Sequence, residues 1–168
     1  MENTKTKMII ALFAVDENGG MGNQGNIPWP TVKEDMKWFK ETTQGQVVAM
    51  GKKSWHSPDM PKPLPKRHNV VFTNEFMDRE DIVQMSGDIC EGLQHAQDLF
   101  PDNDIFVIGG ANILKQAKPA IEKAFITRIP GEYICDTVLD MNDFLAGFNL
   151  VNSLDLGTCV VEMYERIS

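Results

Sequence analysis

Apolar positions in this chain come in two patterns, short unbroken runs and residues spaced three or four apart, and the two patterns alternate. Residues 8–15 (Met-Ile-Ile-Ala-Leu-Phe-Ala-Val) form a nearly continuous run, as a strand covered on both faces requires. Residues 16–26 carry four glycines and three asparagines, which predicts a mobile loop. Thr31 followed by Glu34 reads as a capping box behind Pro30, so a helix is expected from about Val32. On it Val32, Met36 and Phe39 fall at i, i+4 and i+7 and make one apolar face. A second buried strand is expected at 46–50, stopping at Gly51, and a short helix at 52–57. Pro58, Pro61, Pro63 and Pro65 then mark a loop that cannot be sheet interior.

The second half continues the alternation. Strands are expected at 69–73 and, briefly, at 82–85. Ile89, Leu93, Ala96 and Phe100 keep helical spacing. A strand at 104–108 runs into Gly109-Gly110 and a helix that Pro119 ends. Residues 124–129 read as a strand, and 148–154 and 159–166 as two more that turn near Asp155-Leu156-Gly157. This order predicts an α/β fold, with a mostly parallel central sheet flanked by helices and an antiparallel C-terminal strand. One domain over 8–168 is expected, behind a flexible polar tail at 1–7.

Composition narrows the setting. With 168 residues, 42% hydrophobic and 24% charged, the chain suits one packed domain. A net charge of −8 argues against nucleic-acid or acidic-membrane partners. Cys90, Cys135 and Cys159 are odd in number and lack metal-like spacing, so unpaired thiols in a reducing compartment and no metal are expected. No apolar run approaches a membrane span, and residues 1–7 lack the core of a signal peptide, which points to the cytoplasm.

Four features bear on chemistry. Asp35 lies three residues after Val32 and four before Phe39, so its carboxylate shares their apolar face; such a charge is costly unless paired. The pairing group is either a ligand donor or a backbone group, unless the helix is rotated and the acid is solvated. Secondly, two strands end in glycine and lead into helices, at Gly51-Lys52-Lys53-Ser54 and at Gly109-Gly110-Ala111-Asn112. Free N–H groups and close backbone approach at such junctions suit a dinucleotide's phosphates, although neither junction matches a standard phosphate-loop motif. The third is a basic group, Lys62, Lys66, Arg67 and His68, in which Arg67 is able to bind a carboxylate in bidentate fashion; a solvated loop is the plainer reading for the lysines. Last, Thr127 shares a strand face with Phe125 and Ile129 and points either into its own sheet layer or toward Asp35.

Together these stretches resemble the dihydrofolate reductase family over nearly the whole chain. The resemblance rests on Pro28-Trp29 after the glycine loop, Asp35 four residues before Phe39, and Val48-Ala49-Met50-Gly51-Lys52-Lys53-Ser54-Trp55. Pro63-Leu64-Pro65-Lys66-Arg67, Val107-Ile108-Gly109-Gly110 and Asp136-Thr137 complete it in order. What it implies is NADPH-dependent reduction of 7,8-dihydrofolate to tetrahydrofolate, with hydride going to C6 and a proton to N5. By the resemblance Asp35, Trp29 and Thr127 form the catalytic group, with Asp35 holding the 2-amino group and N3 of the pterin. Ile10, Leu12 and Phe39 would line the pocket, Ser57 and Leu64 flank the aminobenzoyl group, and Arg67 pair with the glutamate carboxylate.

The cofactor side follows the same way. Leu12, Met21 and Gly22 match nicotinamide-side positions, and Gly51, Lys52, Lys53 and Ser54 match phosphate-contacting ones. Thr73 falls near the adenosine 2′-phosphate, and Gly109, Gly110, Ala111, Asn112 and Ile113 form the second junction, with a cis peptide at Gly109-Gly110. Residues 19–26 would close over the nicotinamide, with Asp136 bonding them. Partners implied are dihydrofolate and antifolate small molecules, on a monomer. Three departures stand out: Lys66 replaces the family's usual glycine and puts the turn before Arg67 in doubt, Leu114 replaces a common tyrosine, and the loop after Asp16 is longer. The same residues admit a pyrimidine reductase of riboflavin synthesis, or a nucleotide-binding protein without turnover.

Overall fold

A computed structural model describes residues 7–167, so most of the tail expected at 1–7, and Ser168, lie outside the described residues. One eight-stranded sheet carries the fold, built from β1 (Ile9–Val15), β3 (Val47–Gly51), β4 (His68–Phe72), β5 (Val83–Met85), β6 (Ile105–Gly109), β7 (Lys123–Arg128), β9 (Phe148–Asp155) and β10 (Val160–Arg166). The spatial order is β5-β4-β3-β6-β1-β7-β10-β9. Neighbours from β5 to β7 are parallel, and β10 alone runs against the rest, pairing antiparallel with both β7 and β9. Helices α1 (Lys33–Thr43), α2 (Lys52–Trp55), α3 (Ile89–Leu99) and α4 (Ala111–Ala117) complete the expected alternation. None of the described helices is long and apolar enough to cross a membrane.

Strand β1 is apolar throughout because both its faces are covered. Its odd positions, Ile9, Ala11, Phe13 and Val15, enter a cluster with Leu93, Ala96, Leu114 and Ala117 of α3 and α4. The even positions Ile10 and Leu12 enter a second cluster with Phe106 and Leu64, against which Phe39 and Phe125 pack. A third, smaller cluster of Trp29, Ile129 and Cys159 continues that face toward the start of α1. Period-two alternation in the strands thus separates a structural side from the side that faces α1.

Several sequence expectations need correction. The capping box is not made: α1 has Val32 at its N-cap with no side-chain cap, and Glu34 instead accepts from Thr158 Oγ1 at 2.9 Å, across to the β9–β10 turn. Nor does Met36 belong to the buried face, being 59% exposed. The inward residues are Asp35, Trp38, Phe39 and Thr43, a rotation of the helix that lets Trp38 pack against Phe125 on β7. Part of the glycine loop is a strand, β2 (Gly20–Gly22), which pairs antiparallel with β8 (Thr137–Val138). With α5 (Met141–Phe144), these elements are too short to leave a periodicity in sequence.

The doubt about Lys66 resolves in favour of the turn. Lys66 adopts φ +61°, the conformation that glycine reaches without cost, and its carbonyl accepts from Gly45 N at 2.8 Å. A left-handed lysine costs about 1–2 kcal/mol, and a glycine gives back part of that through greater freedom of the unfolded chain. Lys66→Gly is therefore expected to raise stability by about 0.5–1 kcal/mol, read as a higher urea midpoint at unchanged slope. A lowered midpoint would show that the lysine side chain contributes more than its backbone costs.

Candidate active site

The carboxyl edge of the parallel strands gathers the polar groups, while α1 packs by Phe39 on the sheet face beside them. Asp35 sits in the first turn of α1, half-buried over the face formed by Ile10, Leu12, Phe106 and Phe125. On β7, Thr127 is 2% exposed and aligned with Ala14 of β1. Its hydroxyl donates to Asp35 Oδ1 at 2.7 Å. Of the orientations left open by the sequence, the threonine thus faces the helix. Burial pushes the Asp35 carboxyl above its ordinary value, and the Thr127 hydroxyl pulls it only partly back.

Around this pair the expected lining residues fall into one apolar group. Ile10, Leu12 and Leu64 are buried together and Phe39 packs on them. The Arg67 guanidinium lies over the Phe39 ring, 5.8 Å from its centroid, and donates to Thr43 Oγ1 at 3.1 Å and to Pro65 O at 2.8 Å. These contacts hold it against the C-terminal half of α1. Trp29 is buried between Ile129 and Cys159, edge-on to Tyr133 at 6.2 Å. Ser57 donates to Gly25 O at 2.9 Å, and Asp59 Oδ2 accepts from Ile27 N at 2.9 Å, so the loop ahead of Trp29 is fastened to the proline-rich segment.

The two glycine junctions meet at the same edge, since β3 and β6 are neighbours. A Cβ on Gly51 would come within 2.5 Å of Ile113, so only glycine lets the first turn of α4 pack there. Gly109-Gly110 is a cis peptide, as the resemblance implies. A Cβ on Gly109 would lie 3.5 Å from Ser54 Oγ, in the space between the junctions. With Lys53 exposed beside that gap, its ammonium and the open backbone fit a pyrophosphate, while Lys52 is turned to an ion pair with Glu75. Ala111 and Asn112 begin α4 next to it, and Thr73 is buried at the end of β4, its hydroxyl accepting from Glu75 N at 3.1 Å. Met21 and Gly22 lie on β2, where Met21 packs on the α3–α4 side, away from the Phe39 cluster.

Two groups that the sequence reading passed over stand out, one at the root of the glycine loop and one on α1. Asp16, 1% exposed, accepts from Asn18 N and Gly20 N at 2.8 Å and from Tyr133 N at 2.9 Å. Burial alone would raise its pKa, but these donors outweigh it and hold the carboxyl below its ordinary value. Its sequence signal was the Asp-x-Asn spacing of an Asx turn. Trp38 is the other; three residues after Asp35, its buried Nε1 has no hydrogen-bond partner among the described residues. Asp136 does bond the loop as expected, accepting from Gln24 N at 2.8 Å. A depression of about 830 Å³ between Lys115, Arg128 and Leu139 has no comparable convergence, because Arg128 is already paired with Glu162 at 2.7 Å.

Fold and site together define an α/β protein on one main eight-stranded sheet, with its acid on the first helix and its glycine junctions at the strand ends. Comparison with known proteins carries this further. The family profile for dihydrofolate reductase matches residues 8–154. The chain is similar to a dihydrofolate reductase of Gallus gallus, 32% identical over 151 residues and covering 80% of each chain. It is also similar to one of Buchnera aphidicola, 31% identical over 137 residues, covering 82% of this chain and 80% of the other. Among solved structures, a dihydrofolate reductase from Enterococcus faecalis, complexed with NADP(H) and RAB-propyl, superposes with a TM-score of 0.78 at 25% identity, over 96% of this chain and 97% of that one. The chain belongs to the dihydrofolate reductase family.

The raised Asp35 pKa has a consequence for folding. The native state binds this proton more tightly than the unfolded chain does, so the contribution is favourable below the ordinary value of 3.8 and is lost as pH rises through the native pKa. Asp35→Asn keeps an acceptor for Thr127 and removes the charge. Relative to the unaltered protein, that variant is expected to gain stability between about pH 4 and neutrality, in urea melts taken across that range. A relative loss over the same range would show that Asp35 is better solvated than its surroundings imply.

Proposed function

We infer that the chain reduces 7,8-dihydrofolate to 5,6,7,8-tetrahydrofolate with NADPH, and that the cleft beside α1 is where it does so. The observation that carries this reading is the Asp35–Thr127 hydrogen bond at 2.7 Å. It occupies one carboxylate oxygen, and no described residue bonds the other. That second oxygen, with apolar walls on either side, suits the 2-amino and N3 edge of a flat pterin. Asp35 holds that edge, and Thr127 holds Asp35. Ile10, Leu12 and Phe39 clasp the ring, while Trp29 closes the end nearest the loop.

Bound NADPH supplies the hydride for C6 of the pterin. Lys53 and Ser54 would hold its pyrophosphate, with Gly51, Gly109, Gly110, Ala111, Asn112 and Ile113 shaping the backbone around it, and Lys52 and Thr73, side by side at the ends of β3 and β4, would lie toward the adenosine 2′-phosphate. Leu12 and Gly22 would border the nicotinamide, and Met21, whose side chain packs on the α3–α4 side, would do so only through its backbone. Asp35 keeps its proton more readily than an ordinary carboxyl, which suits a group that polarises the pterin while a water passes the proton to N5. At the outer end Ser57 and Leu64 flank the aminobenzoyl group, and Arg67 pairs with the glutamate carboxylate. We further propose that residues 8–168 work as one catalytic domain, as a cytoplasmic monomer acting on dihydrofolate and open to antifolates. A net charge of −8 opposes nucleic-acid and acidic-membrane partners.

The direct test follows NADPH absorbance on adding dihydrofolate, with and without a diaminopyrimidine antifolate. Oxidation that the inhibitor stops is expected; NADPH that stays unoxidised, or turnover indifferent to the inhibitor, would refute the folate reading. Asp35→Asn is expected to lower turnover at neutral pH by about 10²-fold or more, and a near-native rate would remove Asp35 from the chemistry. Arg67→Ala should instead raise the KM for dihydrofolate with little change in kcat, because its contact lies far from the hydride. A fall in kcat at unchanged KM would place Arg67 nearer the reacting atoms.

A further inference from the structure

Within the proposed cofactor edge, one acidic side chain stands among the cations. Strands β3 and β4 are parallel, with Gly51 aligned to Phe72, so Lys52 and the residues after Thr73 emerge side by side. There the Glu75 carboxylate forms an ion pair with the Lys52 ammonium. Its placement is built rather than incidental. Glu75 N donates to Thr73 Oγ1 at 3.1 Å, and the Gln84 amide on β5 donates to Thr73 O at 3.3 Å and also to Glu75 O. Met77 N, two residues on, donates back to Gln84 Oε1 at 2.9 Å. The backbone of Glu75 is thereby fixed against the sheet edge, with its side chain on Lys52 and His56 nearby.

Lys52 is therefore not a free cation. A ligand phosphate that seeks it must displace a carboxylate, and then sits beside that carboxylate's charge. A ribose hydroxyl meets the opposite situation, because a carboxylate accepts its hydrogen bond. NADPH and NADH differ at this one place, the first bearing a dianionic phosphate on the adenosine 2′ oxygen and the second a hydroxyl. We propose that Glu75 sets the choice between the two dinucleotides, competing with the 2′-phosphate of NADPH for Lys52 and accepting the 2′-hydroxyl of NADH. The chain then discriminates against NADH much less than the same site would with Lys52 unpaired. This rests on the assignment of Lys52 and Thr73 to the cofactor's phosphate end.

Calorimetric titration of the full chain with NADPH and with NADH, in the absence of folate, tests it by binding alone. In Glu75→Gln the Kd for NADPH is expected to fall about tenfold at low ionic strength, while that for NADH stays level or rises. The gain should shrink as sodium chloride is added, since exposed charges are screened. A ratio of the two constants that moves less than about twofold, or two constants that shift together, would overturn the proposal and leave Glu75 a surface residue. If neither dinucleotide binds the unaltered chain, the cofactor edge itself is misassigned and the inference falls with it; binding of both with an unchanged ratio sinks the inference alone.

Discussion

A hydroxyl on β7 reaches across to a carboxylate on α1, and the site is arranged about that one hydrogen bond. A neutral donor does not repay the desolvation of a half-buried carboxylate, so Asp35 remains a group in need of a partner. Its position in the first turn of α1 offsets some of the cost, because the free N–H groups there favour negative charge. The remainder is left for a ligand that brings hydrogen-bond donors. Under the proposed function, the 2-amino and N3 edge of a pterin would bring those donors.

The loop above the cleft is held by a different kind of force. Residues 16–27 bury little apolar surface, and their placement comes from acids and carbonyls that capture backbone and side-chain donors. Asp16 gathers the loop's root and Tyr133, Asp136 takes Gln24, and Asp59 takes Ile27. Such bonds are worth about 1 kcal/mol each, and less where water competes. The loop can thus let go without disturbing the sheet, whose stability lies in the clusters on its two faces.

At the proposed cofactor edge, parallel register does what spacing in sequence cannot. Gly51, Phe72 and Gly109 come from three separate strands, yet their ends stand together because β4, β3 and β6 are adjacent and run the same way. The charges gathered there belong to the neighbourhood rather than to any single motif, and Glu75 enters it because Thr73 and Gln84 fix the segment that follows β4.

Residue pattern by itself determined the strand–helix alternation, the apolar strands covered on both faces, and the two glycine junctions. Each of these follows from local periodicity or from a residue's own backbone freedom. It did not determine which way Thr127 points, since a strand has two faces and only the neighbouring α1 distinguishes them. The rotation of α1, with Met36 outward and Trp38 inward, goes with packing of Trp38 against Phe125, and Glu34 has no capping role because the helix begins after Val32, which leaves Glu34 free to accept from Thr158. Strands β2 and β8 exist only as a pair. Long-range contacts carry no periodicity along the chain, so tertiary structure alone could decide them.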